Sequence, residues 1–215
     1  MNPIAEGVIR YDASDYRPGP PLPRDEYTVL DGYRRLLHRH RLIGVYEDGL
    51  GYGNVSLRRD YLRILATPRP QFLITGTQTG HLAELTGAHY VRVLDFDLAR
   101  FRVTAAGPLP ASSETVTHAA IYAANPAIRA VIHGHHRALW QGLLRDGGPA
   151  TSRWAPYGTP EMAREVERCV GTTSQGLIAM AGHEEGVIAY GPSLSAALGQ
   201  IARVWRRHVA AGSPC

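Results

Sequence analysis

Between Ser112 and His136 the chain reads SSETVTHAAIYAANPAIRAVIHGHH, which joins a carboxylate to a His-x-His pair. Successive side chains of a strand point to opposite faces, so His133 and His135 share a face if AVIHGHH is extended. Two neutral imidazoles on one face suit a first-row metal such as zinc. Glu114 lies on the preceding helical stretch, which can fold back beside that strand. A carboxylate next to a metal suits proton transfer at a polarised substrate oxygen. The competing reading is a hydrogen-bonded pair of core histidines, but two on one strand face favour the metal. His136 falls on the other face and reads as structural, while His118, one turn after Glu114, fits a core hydrogen bond as well as a site role. An enzyme is the leading class.

The elements that must hold these residues follow from periodicity and punctuation. Helical patterns are expected over 25–42, with Val29, Tyr33, Leu36 and Leu37 on one stripe, and over 161–170. A third, over 192–210, has Leu194, Leu198, Ile201 and Trp205 as its apolar line. The 111–125 segment is a helix that Ser112 or Ser113 can cap and Asn125-Pro126 ends. A short helix is expected at 137–144, after the buried strand that carries the histidines. GYGNVSLR reads as a glycine loop entering a strand, QFLITG as a strand running into a polar turn, and 89–107 as a hairpin. Further strands fall at 176–182 and 186–191, and 146–160 is a long loop. Residues 1–24, rich in Pro, Gly, Asp and Tyr, read as an irregular arm, disordered or wrapped on a neighbouring subunit. Residues 25–215 form the domain. Strands and helices intermix without strict βαβ alternation, which favours an α/β mixed sheet covered by helices.

Composition narrows the chemistry. The chain has 215 residues, 44% of them hydrophobic, which suits one domain with a full core. No apolar run approaches the roughly 20 residues that span a bilayer. No secretory signal is seen at the N-terminus and the two cysteines, Cys169 and Cys215, fit no redox or metal spacing, so a cytoplasmic setting is expected. The formal charge of +4 comes from scattered arginines with no recognition motif, which argues against nucleic acid. There is no lysine in the sequence. That excludes Schiff-base catalysis, lysine-anchored pyridoxal phosphate and a P-loop. Carbon–carbon bond chemistry here needs another electron sink, and a metal is the obvious one.

The segments GNVSLR, LITG, SSE-TVTH-AAIY, NPAIRAVIHGHH, APY-GTPEMAREV and GHEEGVIAYG, in this order, resemble the class II aldolase/adducin-head family. The resemblance runs from about residue 28 to 205. It implies a single α/β domain whose central, mainly antiparallel mixed sheet lies between helical layers, assembled as a homotetramer with sites between subunits. It implies that His133 and His135 bind a divalent metal, usually Zn2+, that Glu114 is the acid/base, and that Asn54, Thr75, Gly76, Ser112 and Ser113 surround a substrate phosphate. Backbone N–H groups at glycine loops and at a helix N-terminus suit such an anion. The third ligand falls in Gly182-His183-Glu184-Glu185-Gly186: His183 completes a three-histidine set if two residues bulge, and Glu185 is the ungapped alternative. The phosphate loop departs from the family's I-T-P-S-G, reading Ile74-Thr75-Gly76-Thr77-Gln78-Thr79-Gly80. Tyr157 is the candidate for the tyrosine that protonates a leaving aldehyde, although three residues are missing before Gly158-Thr159.

The expected function is a metal-dependent aldolase-type lyase acting on a small hydroxy-ketone, a sugar phosphate or a relative, through a metal-stabilised enediolate. The same intermediate serves an epimerase, and the same metal and glutamate serve a dehydratase. A non-catalytic adducin-like module is the alternative from another class, and a metallohydrolase a third. Small-molecule substrates, and neither nucleic acid nor membrane, are the expected partners.

Overall fold

The sheet that carries the histidines is buried on both faces in the computed structural model, which describes residues 8–59 and 69–209. Cys215 and the first seven residues of the arm lie outside them. In chain order the elements are β1 (Tyr16–Pro18), α1 (Arg24–Arg39), β2 (Gly44–Val45), β3 (Gly51–Tyr52), β4 (Asn54–Arg58) and β5 (Phe72–Thr75). Then come β6 (Tyr90–Asp97), β7 (Arg102–Gly107), α2 (Thr115–Ala124), β8 (Ala130–His135) and α3 (Arg137–Arg145). α4 (Pro160–Val170), β9 (Gly176–Ala179), β10 (Gly186–Gly191) and α5 (Leu194–His208) complete them.

Among the described residues, eight strands form one sheet in the order β1-β7-β6-β5-β4-β8-β10-β9, and β2 and β3 form a separate hairpin. Every pairing in the large sheet is antiparallel except β1 with β7. This is the mixed, mainly antiparallel α/β sheet the sequence led us to expect. Val131, Ile188 and Phe72 pack on one face with α2 and α4; Ile132, Ala189 and Leu73 pack on the other with α1, α3 and α5. The period of two therefore sends His133 and His135 to the α2 side, the side of Glu114. Gly134 faces the other way, where a Cβ would stand 2.8 Å from the carbonyl oxygen of Leu42. The residue between the two histidines must be small for the end of α1 to pass.

Four local expectations change. Helix α2 starts at Thr115, not near residue 111: the Ser112 carbonyl accepts from both Thr115 N and Oγ1, closing a turn that leaves Glu114 at the N-cap. Neither serine hydroxyl caps the helix; Ser112 Oγ accepts from Glu114 N at 3.3 Å. On α1 the buried line is Leu30, Asp31, Arg34 and Leu37, and Val29 is 56% exposed, one residue and so about 100° off that line. On α5 the deepest line is Leu194, Ala197, Ile201 and Val204, with Leu198 and Trp205 on its flank. The segment 1–24, read as an irregular arm, contributes β1, and its Tyr11 donates a hydrogen bond to the Ala111 carbonyl.

Candidate active site

His133 and His135 leave β8 toward α2, and His183 reaches them from the turn between β9 and β10. His133 and His135 present their Nε2 atoms 3.2 Å apart. The His183 ring centroid lies 4.5 Å from that of His135 and 5.2 Å from that of His133. One nitrogen from each of the three falls within 4.8 Å of the others, and all three side chains are buried. A tetrahedral zinc with Zn–N bonds of about 2.0–2.1 Å spaces its ligand nitrogens by about 3.3 Å. The donor set therefore fits a divalent zinc-like ion.

Protonation supports the same fit. His133 Nδ1 lies 3.1 Å from the Val187 carbonyl, which only accepts, so Nδ1 holds the proton and Nε2 offers its lone pair. Burial holds His135 well below the usual imidazole range, reinforced by its two histidine neighbours. Burial brings His183 down to about 4, against the opposing charge of Glu114. Neutral imidazole is the form that binds metal.

Glu185 is elsewhere: it has φ +63° and its carboxylate meets Arg137 at 2.7 Å. The turn His183–Gly186 closes with Gly186 N donating to the His183 carbonyl. Gly182 lies so close to the loop before α4 that a Cβ would approach the Ala155 carbonyl to 2.0 Å. That contact brings Tyr157 and His183 together, their rings stacked at 4.7 Å. The Arg10 guanidinium sits 5.0 Å from the Tyr157 centroid.

Asn54, Gly76, Ser112, Ser113, Glu114 and Tyr157 line one pocket with His133 and His183. Glu114 is 2% exposed. Asn54 pairs with His133 across β4 and β8, and its buried Oδ1 has no hydrogen-bond partner among the described residues. Thr75 is not part of the lining: its Oγ1 accepts from Val55 N inside the sheet, and Thr77, Gln78, Thr79 and Gly80 line the wall instead. Among the described residues the lining holds no arginine; what these residues offer an anion is N–H groups, hydroxyls and a helix N-terminus. His118 is a core residue, its Nδ1 2.7 Å from Ser56 Oγ, and His136 caps α3.

Sequence reasoning missed Tyr46 and Tyr52. The hairpin of β2 and β3 sets the Tyr46 hydroxyl 2.6 Å from His135 Nδ1 and the Tyr52 ring 5.3 Å from the His135 ring. The signal was present: Asp48-Gly49 between aromatic positions is a hairpin turn, and Gly49 has φ +87°.

Comparison with known families matches residues 35–141 to the class II aldolase and adducin N-terminal domain. The chain belongs to the class II aldolase/adducin family. Comparison with curated proteins gives no match. The same fold recurs in solved structures of low identity. A sugar-phosphate aldolase from Thermotoga maritima superposes with a TM-score of 0.62 at 17% identity, covering 89% of this chain and 98% of the other. An L-fuculose-1-phosphate aldolase from Thermus thermophilus gives 0.60 at 20% identity, over 90% of this chain and 100% of its own. YgbL from Escherichia coli, for which aldolase, epimerase or decarboxylase activity is suggested, gives 0.60 at 17% identity, over 85% and 86% of the two chains. Of the residues singled out above, the class II aldolase/adducin match spans Glu114, His133 and His135, while His183 and Tyr157 lie beyond it.

Proposed function

We propose that the protein is a metal-dependent aldolase-type lyase that cleaves or forms a carbon–carbon bond in a small hydroxy-ketone, a sugar phosphate by preference. The observation that carries this reading is Glu114 at the N-cap of α2, buried in the same pocket as His133 and His183. His133, His135 and His183 would hold one divalent ion, zinc by preference, leaving a fourth position for substrate. When bound, that ion supplies Lewis acidity, drawing charge from the ketone oxygen and the neighbouring hydroxyl. No lysine is present to do this work as an iminium.

The chain's own residues divide the rest. Glu114 moves the proton at the carbon that loses or gains the aldehyde, and Tyr157 takes up the proton of the hydroxyl that becomes the aldehyde on cleavage and returns it to the aldehyde oxygen on bond formation. Asn54, Gly76, Ser112 and Ser113 bind and orient the far end of the substrate, with Thr75 supporting them from β5 through Val55. The walls exclude water around a carboxylate that is almost fully buried. The family resemblance extends the reading to a cytoplasmic homotetramer whose sites lie near subunit boundaries. No helix among the described residues is long and apolar enough to cross a membrane.

A panel of ketose phosphates and their unphosphorylated forms, assayed by aldehyde release, tests the reading. The expected result is release that stops on chelation, returns with zinc and is lost in His133→Ala. Turnover that survives chelation, or conversion of substrate with no aldehyde formed, overturns the lyase.

A further inference from the structure

His133 and His135 differ in what holds their far ring nitrogens. His133 Nδ1 meets a backbone carbonyl, that of Val187. His135 Nδ1 meets a side chain, the Tyr46 hydroxyl, at 2.6 Å. We propose that Tyr46 is a positioning residue for the metal centre: the hairpin of β2 and β3 holds its hydroxyl against His135 and fixes which nitrogen of that ring faces the other two imidazoles. The inference rests on the three-histidine reading above.

A neutral imidazole has one N–H and one lone pair, so the nitrogen that binds an ion leaves the other to donate a hydrogen bond. His135 Nε2 is the atom turned to His133, 3.2 Å away. With an ion on Nε2 the proton must sit on Nδ1, where the Tyr46 oxygen accepts it. Without that oxygen, the Nδ1–H loses the acceptor that selects this tautomer, and the competing tautomer would aim its N–H into the cluster. Partners on the far nitrogen of a ligating histidine commonly change metal affinity by about 10–100-fold.

The hairpin is built to hold this position. Tyr46 N donates to the Leu50 carbonyl and Leu50 N to Asp48 Oδ1, which close the turn. The Tyr46 ring packs against Tyr52 at 4.6 Å and meets the His135 ring edge-on at 5.8 Å. On its other side the hairpin grips the loop that lines the pocket. Gly51 N donates to Gln78 Oε1, and a Cβ on Gly80 would stand 2.2 Å from the Gly44 carbonyl. One small element thus touches both a ring of the candidate metal cluster and the wall of the pocket.

Tyr46→Phe keeps the ring and removes the hydroxyl. Zinc affinity of the full-length chain is measured by competition with a chromophoric chelator, with Tyr16→Phe in β1 as a distant control. Tyr46→Phe is expected to bind zinc about 10–100-fold more weakly, and Tyr16→Phe to match wild type. A second readout is the imidazole N–H of His135 in the zinc-loaded protein by NMR, expected to be protected in wild type and to exchange rapidly in Tyr46→Phe. Equal zinc affinity and an equally protected N–H in Tyr46→Phe overturn the proposal while leaving the metal site intact. A wild-type chain that binds no zinc overturns the metal site itself, and this inference with it.

Discussion

At the residue scale, Glu114 is the most exacting position. Its side chain does not cap the helix by a hydrogen bond, and it is buried beside the imidazole cluster. Glu114→Gln preserves shape and removes the base. Under the proposed mechanism it lowers kcat by about 10²–10⁴-fold while zinc content stays at the wild-type level. Steady-state kinetics with metal analysis on the same sample checks this, and an unchanged kcat would remove Glu114 from the chemistry. The histidine pair and this carboxylate were readable from the sequence because strand alternation and a helix–strand order constrain them locally. His183 and Glu185 stood as alternatives because only the fold shows which of them the β9–β10 turn brings beside His133 and His135. Tyr46 was not read, since its contact with His135 spans 89 residues and depends on a hairpin with one short turn signal.

At the scale of elements, the site is held by close backbone crossings and one buried cation. Arg34 is fully buried on α1, and its guanidinium donates to the Thr79, Gly80 and Ala83 carbonyls, so it fastens the loop that lines the pocket. A helix pattern reads an arginine as outward-facing; the loop's bare carbonyls, invisible to periodicity, reverse that. Arg34→Met is expected to destabilise the fold by about 3 kcal/mol, since several bonds to a charged donor are lost. Urea unfolding measures it, and an unchanged midpoint would mean the loop holds itself. Gly134 makes the parallel case. Gly134→Ala presses a methyl on the Leu42 carbonyl and is expected to cost about 1–3 kcal/mol in the same assay. The start of α2 was misjudged for a related reason: Ser112 can cap a helix in principle, but here its carbonyl closes a turn first.

At the scale of the whole molecule, the sheet's two buried faces explain why composition and periodicity gave the architecture. β8 is buried at all six positions, so its register beside β4 and β10 leaves little freedom. Burying imidazoles there has a cost that depends on pH. His118, His135 and His183 are held below the ordinary value of about 6.5 chiefly by burial, so below that pH the unfolded chain binds more protons than the folded one. Stability in the zinc-free protein is therefore complete above about pH 6.5 and falls as pH drops toward 4. The expected slope is about 1.4 kcal/mol per pH unit for each histidine involved. Urea midpoints from pH 7.5 to 5 check it, and a midpoint that holds steady or rises on acidification contradicts it.

The central claim, that three buried histidines make one metal centre, is tested most directly by zinc stoichiometry after equilibrium dialysis of the wild type, His183→Ala and Glu185→Gln. The account predicts one tightly held zinc per chain in wild type and in Glu185→Gln, and loss of tight binding in His183→Ala. Undiminished zinc in His183→Ala, or none in the wild type, would contradict it.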